Sequence, residues 1–328
     1  MVVMSQRIDN RSHRARQGRA AAGQGPASFT AFGLAAEAKP LDAGLYVVAT
    51  PIGNLQDVSF RALSVLAAAD AVLAEDTRVT KRLLAHYGVT TPLVAYHEHS
   101  NDAVRERMIR RVQDGQALAL VSDAGTPLVS DPGYRLVQAA ITAGLPVTPI
   151  PGPSAVLTAL VVSGLPTDRF FFEGFLPPKS AARRARLTAI GHIPGTLMLF
   201  EAPHRLPEML ADAAEMLGPR PAAMARELTK MFETVRRGTL VELAEMFARE
   251  GPPKGEVVVL IGAAREDRPG PDEDAALDAA IRAALARHSI KDAAALVADE
   301  TGLPKREVYA RAIALAKASD GARRKDEP

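Results

Sequence analysis

From Leu45 to Ser163 short apolar runs alternate with stretches of helical periodicity, and nothing else in the chain restricts its fold so tightly. Runs at 45–50, 71–74, 93–97, 117–121 and 147–150 are followed by helix signals over 59–69, 77–87, 101–115, 132–143 and 153–163. Ser59 and Asn101 stand where N-caps belong, and Gly88 and Gly115 where helices stop. Strands joined through helices by short connections run parallel, and such a sheet is covered on both faces. Residues 44–165 are therefore expected to form one α/β domain. Its last helix signal, the apolar run Ala155–Val162, reads as a buried helix.

After Gly164-Leu165-Pro166 a second unit is expected over 166–263, with strands at 170–175, 196–200, 221–227, 233–238 and 256–261. Helices fall near 179–190, 203–216 and 239–249. Two successive strands without a helix between them imply a hairpin, hence a mixed sheet. Residues 264–273 (AREDRPGPDE) read as a linker, 274–318 as a small helical domain, and 319–328 as a charged tail. Within the helical domain, 290–301, Gly302-Leu303-Pro304 and 305–317 have a helix–turn–helix pattern, which suits a DNA-binding unit or a plain helical bundle. Residues 1–43 are rich in Arg, Ala, Gly and Gln without periodicity and read as a disordered N-terminal extension.

The absence of cysteine excludes disulfides, thiolate metal sites and a cysteine nucleophile, and suits a cytoplasmic protein. No apolar run reaches the length that spans a bilayer, so no membrane role is expected. The pI is about 8.9, but six basic against two acidic residues give 1–40 a charge of +4, and the whole chain carries +2, leaving −2 on 41–328. Any contact with nucleic acid must then rest on local clusters, such as Arg183, Arg184 and Arg186 on one helix, or on nothing if those faces are merely solvated.

Three loops of small residues follow strands within 122–155: Ser122-Asp123-Ala124-Gly125-Thr126-Pro127, Ser130-Asp131-Pro132-Gly133 and Pro151-Gly152-Pro153-Ser154-Ala155. Loops at the carboxyl ends of parallel strands are where open α/β sheets bind ligands, and glycine lets the backbone come close to them. Neither a G-x-x-x-x-G-K-[ST] loop nor a strand followed by G-x-G-x-x-G is present, so an ordinary phosphate cradle or dinucleotide site is unsupported. His97-Glu98-His99 is the nearest approach to a ligand cluster, without a third ligand at a recognisable spacing; no metal is expected.

Eight segments occur in order: LYVVATPIGNLQD (45–57), EDTRVTKRLL (75–84), YHEHS (96–100), SDAGTPLVSDPG (122–133), PGPSA (151–155), FEGFLP (172–177), FEAPHR (200–205) and ARELTKMFE (225–233). Together they resemble the tetrapyrrole methylase family, in its branch that methylates small-subunit ribosomal RNA, over about 44–262 and more weakly to about 317. The resemblance implies two α/β domains of tetrapyrrole methylase type with a ligand cleft between them, plus a small C-terminal helical domain. It implies S-adenosylmethionine as methyl donor, without metal, and 2′-O-methylation of a cytidine ribose, cytidine 1402 in the usual numbering of 16S rRNA. The implied partners are 16S rRNA or the 30S subunit and a second copy of the chain. A methyltransferase of corrinoid or tetrapyrrole synthesis is the alternative, and a DNA-binding regulator acting through the C-terminal helices a third. Gly125-Thr126-Pro127 stands where corrin and porphyrin methylases carry G-D-P, a departure that argues against a tetrapyrrole substrate.

By motif position the resemblance gives Pro51, Gly125, Thr126, Pro127, Leu128, Val129, Ser154, Ala155, Ala225 and Gly255 as donor-binding candidates. Methyl transfer to a ribose hydroxyl needs collinear positioning and gains from a base or a polarising cation. Glu75, Asp76, Arg78, Asp123, Glu201, His204, Arg205, Glu227 and Lys230 are ionisable residues in the motif loops or at strand ends. Among them Asp76 or Glu227 is the preferred carboxylate base, and Lys230 or Arg78 the group that holds phosphate.

Overall fold

The computed structural model describes residues 27–97, 100–264, 271–303 and 305–323. The chain divides into two units, 1–264 and 265–328.

The larger unit opens with a hairpin, β1 (Ser28–Ala31) and β2 (Leu34–Glu37), paired antiparallel. Phe32 at φ 53° and Gly33 at φ 76° make the two-residue turn with both central residues left-handed that such hairpins favour. Phe29 is buried in the same core cluster as Leu66, Tyr87 and Val89, and the Thr30 N–H donates to the Tyr87 carbonyl at 2.7 Å. This corrects the expectation of disorder over 1–43 for the hairpin; residues 1–26 lie outside the described residues.

The first sheet has the order β5-β4-β6-β3-β7, all parallel, from β3 (Gly44–Val48), β4 (Ala71–Ala74), β5 (Leu93–Ala95), β6 (Ala117–Leu120) and β7 (Val147–Ile150). The crossovers are α1 (Phe60–Ala68), α2 (Thr77–His86), α3 (Asp102–Gln113) and α4 (Tyr134–Thr142). Alternate strand residues serve opposite faces: Val72, Ala74 and Ala119 pack with Leu63 and Leu66, while Leu73, Leu118 and Leu120 pack with Met108 and Leu136.

The second sheet has the order β11-β10-β12-β9-β8, from β8 (Phe170–Phe175), β9 (Thr196–Glu201), β10 (Pro221–Arg226), β11 (Thr234–Thr239) and β12 (Val257–Ile261). β8 and β9 are parallel and every other neighbouring pair is antiparallel, as the expected hairpin requires. One face packs on α6 (Ser180–Ile190), α7 (Leu206–Leu217) and α8 (Leu240–Glu250) through Leu187, Leu210 and Leu243. The other packs on α5 (Ala155–Ser163), which arrives from β7. Ile52, Val156, Ala159 and Leu160 share one cluster with Met198, Ala223, Ala225 and Leu260, so α5 and the loop after β3 join the two sheets. The expected buried helix is buried on that face alone: Leu157 and Val161, one turn apart, are 53% and 73% exposed.

The smaller unit has three helices, α9 (Pro271–Leu285), α10 (Ile290–Thr301) and α11 (Lys305–Arg323). Ser289 caps α10, Gly302 ends it at φ 72°, and Ile281, Ala293, Val297, Val308 and Ala312 form the core. Among the described residues no helix is long and apolar enough to cross a membrane.

Candidate functional site

The carboxyl ends of the parallel strands carry the site. β3 and β6 are neighbours, and the loops that leave them bridge each other: Thr50 N–H donates to the Gly125 carbonyl at 2.8 Å and Gly125 N–H to the Thr50 carbonyl at 3.0 Å. Gly125 holds φ +78°, and a Cβ there would stand 3.3 Å from Ile52 Cγ2. The Thr126 hydroxyl donates to the Pro153 carbonyl at 3.2 Å, fastening the loop after β6 to the loop after β7. Ser154 caps α5 through the Leu157 N–H. Two loops concentrate strain, with Leu128 and Ser130 in one, Glu227 and Thr229 in the other, all at positive φ. A non-glycine residue costs about 1–3 kcal/mol in that region, and such residues gather at ligand sites.

Two cavities adjoin at this edge. The first, of about 410 Å³, lies between the sheets. Gly125, Thr126, Val129 and Asp131 wall it on one side, Ser154 and Ala155 at the start of α5, and Phe200, Glu256 and Val258 from the second sheet. Among the described residues no Lys, Arg or His lines it. The second, of about 370 Å³, is walled by Pro51, Gly53, Thr80, Arg82, Asp123 and Lys230. Ile52, Ala124 and Glu256 belong to both walls.

The sequence-derived donor candidates divide accordingly. Gly125, Thr126, Val129, Ser154 and Ala155 face the first cavity, and Pro51 the second. Pro127 and Leu128 are on neither wall; Leu128 packs into the core of the first sheet. Ala225 is buried in the cluster that joins the sheets. Gly255 backs onto Glu227, whose Cδ would lie 2.4 Å from a Cβ placed there.

Of the candidates for chemistry, Lys230 lines the second cavity. Its Nζ lies 2.9 Å from Glu227 Oε1 and 3.1 Å from Glu256 Oε2. Burial opposes its charge, but the two carboxylates outweigh burial and hold its pKa above the ordinary lysine value. Glu227 accepts from the Glu256 N–H at 2.9 Å as well, and that bond, with Lys230, keeps its carboxyl below the usual range. Asp76 caps α2, accepting from Arg78 N–H at 2.8 Å and from the Arg78 guanidinium, which draws its pKa down to about 2. The Asp76 N–H in turn donates to Asp123 Oδ1 at 2.9 Å, on the wall of the second cavity. Glu201 is buried, receives the Ala202 N–H at 2.8 Å and sits 3.2 Å from the Arg205 Nε. Arg205 also donates to the Leu176 carbonyl, so this pair holds the end of β9 in place.

Sequence reasoning passed over two wall residues. Arg82, on α2, is exposed, lines the second cavity and has no ion-pair partner among the described residues. Asp131 lines the first; burial pushes its carboxyl up to about 6, Glu75 and Asp123 add to the rise, and the Ser122 hydroxyl opposes it. Asp131 stands in a loop whose small residues and glycine, rather than its carboxylate, carry the sequence signal. Of His97-Glu98-His99 only His97 is described, and no group of three or more potential metal ligands occurs among the described residues.

The arginine cluster on α6 is not a free basic face. Arg183 is 1% exposed, with Nε 2.6 Å from Asp212 Oδ2; Arg184 pairs with Asp212 and Glu215, and Arg186 with Glu173 at 2.6 Å.

The profile of the tetrapyrrole (corrin/porphyrin) methylases matches residues 44–244, and that of the RsmI C-terminal HTH domain matches 271–316. The protein called ribosomal RNA small subunit methyltransferase I from Mesorhizobium japonicum is 50% identical over 279 residues, 85% of this chain and 94% of that protein. Its namesake from Xylella fastidiosa strain Temecula1 is 52% identical over 81% of this chain and 97% of its own length. That from Escherichia coli O157:H7 is 46% identical over 82% and 94%. Among solved structures, diphthine synthase (TM-score 0.52, 18% identity, 66% of this chain and 89% of that one) and the methyltransferase CobJ (0.51, 20%, 70% and 98%) share the fold. With half of the aligned residues identical to such relatives across nearly their whole length, the chain belongs to the tetrapyrrole methylase family, in its ribosomal RNA small subunit methyltransferase I branch.

Proposed function

We propose that this chain transfers the methyl group of S-adenosylmethionine to the 2′-hydroxyl of a cytidine ribose in 16S rRNA, cytidine 1402 in the usual numbering. The carrying observation is the opposite character of the two adjoining cavities. The first is mostly apolar, carries the carboxylates Asp131, Glu201 and Glu256 and, among the described residues, no basic one, and has a size common for small-ligand pockets. Its strained, glycine-turned loops bring backbone up to the space, which suits the adenosyl donor. Gly125, Thr126, Val129, Ser154 and Ala155 are the residues to hold it. The donor supplies an electrophilic methyl group on a sulfonium.

The second cavity, with Arg82 and Lys230 on its wall, suits the phosphate-bearing acceptor. Glu227 and Asp76 are each engaged by a cation and have a pKa below the ordinary carboxyl value, which reduces their basicity; in this reading they keep Lys230 and Arg78 in place. The ribose is fixed at the wall both cavities share, so that proximity provides much of the rate. The 30S subunit or its RNA is the substrate body, the cytoplasm the compartment, and a pair of copies the working form, supported by the exposed apolar turn Leu157 and Val161 on α5.

The test is incubation of the purified chain with methyl-labelled donor and either unmodified 30S subunits or uroporphyrinogen, followed by mapping of ribose methylation. A single 2′-O-methylcytidine in 16S rRNA is expected. Labelled tetrapyrrole, or no labelled RNA, would overturn the reading. Light scattering at micromolar concentration that reported monomer alone would overturn the pairing.

A further inference from the structure

Asp131 sits in a stretch of chain that cannot easily shift. Ser130 before it holds φ 63°, and Gly133 after it holds φ +121°, with its Cβ position 2.7 Å from Leu120 Cδ2. Across the sheet boundary, a Cβ on Gly174 of β8 would lie 3.0 Å from Ser130 Oγ, so this loop is seated against the second sheet. Asp131 therefore holds a fixed place on the wall of the first cavity, where Val129, Ala155, Phe200 and Val258 offer no charge and the two other carboxylates, Glu201 and Glu256, are already paired with Arg205 and Lys230. The Ser122 hydroxyl hydrogen-bonds to it, and the carboxylates of Glu75 and Asp123 are near enough to repel its charge. Among the described residues no cation on the wall balances it. A half-buried carboxylate facing an apolar space, with like charges nearby, is relieved by a cationic ligand and by nothing else on that wall.

We infer that Asp131 reads the positive charge of the molecule in the first cavity, so that the site holds a sulfonium- or ammonium-bearing donor more tightly than the same molecule with a neutral sulfur. This rests on the first cavity being the donor site. Asp131 is then a specificity-determining residue that favours exchange of the spent donor for a fresh one. Once the carbon–sulfur bond has broken with its electron pair left on sulfur, the methyl is on the ribose oxygen and the hydroxyl proton has gone to water. The thioether that remains lacks the charge that Asp131 favours.

Calorimetry at pH 8 on the full chain and on Asp131→Asn, with S-adenosylmethionine, sinefungin (an amine in place of the sulfonium) and S-adenosylhomocysteine, separates the possibilities. The unsubstituted chain is expected to prefer the two cations over the thioether by about tenfold, about 1.4 kcal/mol. Asp131→Asn should weaken the cations by that factor and leave the thioether within about twofold. The unsubstituted chain alone provides a second measure: its preference should fade as pH drops from 8 to 5, because Asp131 loses its charge at or below about pH 6. An unchanged preference in Asp131→Asn, equal weakening of all three ligands, or a preference that ignores pH would overturn the charge reading. Failure of every ligand to bind the unsubstituted chain would instead overturn the donor-site reading on which it stands.

Discussion

The alkyl stem of Lys230 lies across Gly53: a Cβ placed on that glycine would fall 2.4 Å from Lys230 Cγ and 2.7 Å from its Cε. One residue comes from the loop after the first strand of the parallel sheet, the other from the loop between β10 and β11. Their contact is possible only because position 53 has no side chain, and it sets where the ammonium can reach.

Gly53→Ala should therefore act as a lysine mutation. The stem must move, taking Nζ from Glu227 and Glu256. Methylation of 30S subunits should fall at least tenfold in both Gly53→Ala and Lys230→Met, with donor affinity unchanged. If Lys230 contacts a phosphate, the log–log salt slope of RNA binding should fall by about one in each. Binding across a salt series checks this, and equal slopes in all three proteins would refute the phosphate role.

The loops around the first cavity, proposed to hold the donor, allow a test that separates bulk from capping. Ser154→Ala removes the N-cap of α5 and should cost about 1 kcal/mol while leaving donor affinity within about threefold. Ser154→Trp and Gly125→Val place volume at the first cavity and should abolish donor binding. Calorimetry paired with thermal melting distinguishes the two effects.

Arg183 and Asp212 form a buried pair, 1% and 4% exposed. Removing one partner of such a pair costs about 3–5 kcal/mol, whereas an exposed pair such as Arg186 with Glu173 is worth about 0–1 kcal/mol. Arg183→Ala should unfold at markedly lower denaturant and Arg186→Ala should not. Burial works against the Asp212 charge, but hydrogen bonds from Arg184, Arg183 and Ser180 outweigh it and lower its pKa. That stabilisation is complete above the unfolded-state carboxyl value of about 3.9 and disappears as pH falls through the lower folded value. Stability curves of the parent and Asp212→Asn should thus differ at neutral pH and converge in acid.

Phe29 supplies a stability test outside the site. Truncating a buried phenylalanine costs about 3 kcal/mol at the lower end of the usual range. At about 2–4 °C per kcal/mol for a domain of this size, Phe29→Ala should lower Tm by about 6–12 °C. A melting curve that did not move would show the hairpin to be dispensable.

The α/β architecture was legible because its signal is repeated: alternate residues of 71–74 and 117–121 serve two cores, and each strand of the parallel sheet is followed by a helix, those at 60, 77, 102 and 155 with a side-chain cap. The hairpin at 28–37 was not, since its signal is one turn and one phenylalanine inside a stretch whose composition resembles a tail. Gly125 and Ser154 were legible as loop residues at strand ends. Arg82 and Asp131 were not, because their importance comes from what surrounds them: an arginine without an ion pair at a cavity mouth, a carboxylate without a cation. Arg183 is the reverse case: a basic run on a helix conceals an acidic partner twenty-nine residues away.

The reciprocal hydrogen bonds of Thr50 and Gly125 make a common partition of two compartments, with Ile52 and Ala124 presented to both. A ligand that stiffens this partition from one side lowers the ordering cost for a ligand arriving on the other. Linkage makes the effect equal in both directions, so RNA should tighten the donor by the same factor as the donor tightens RNA. Neither substrate is bound as a bystander to the other.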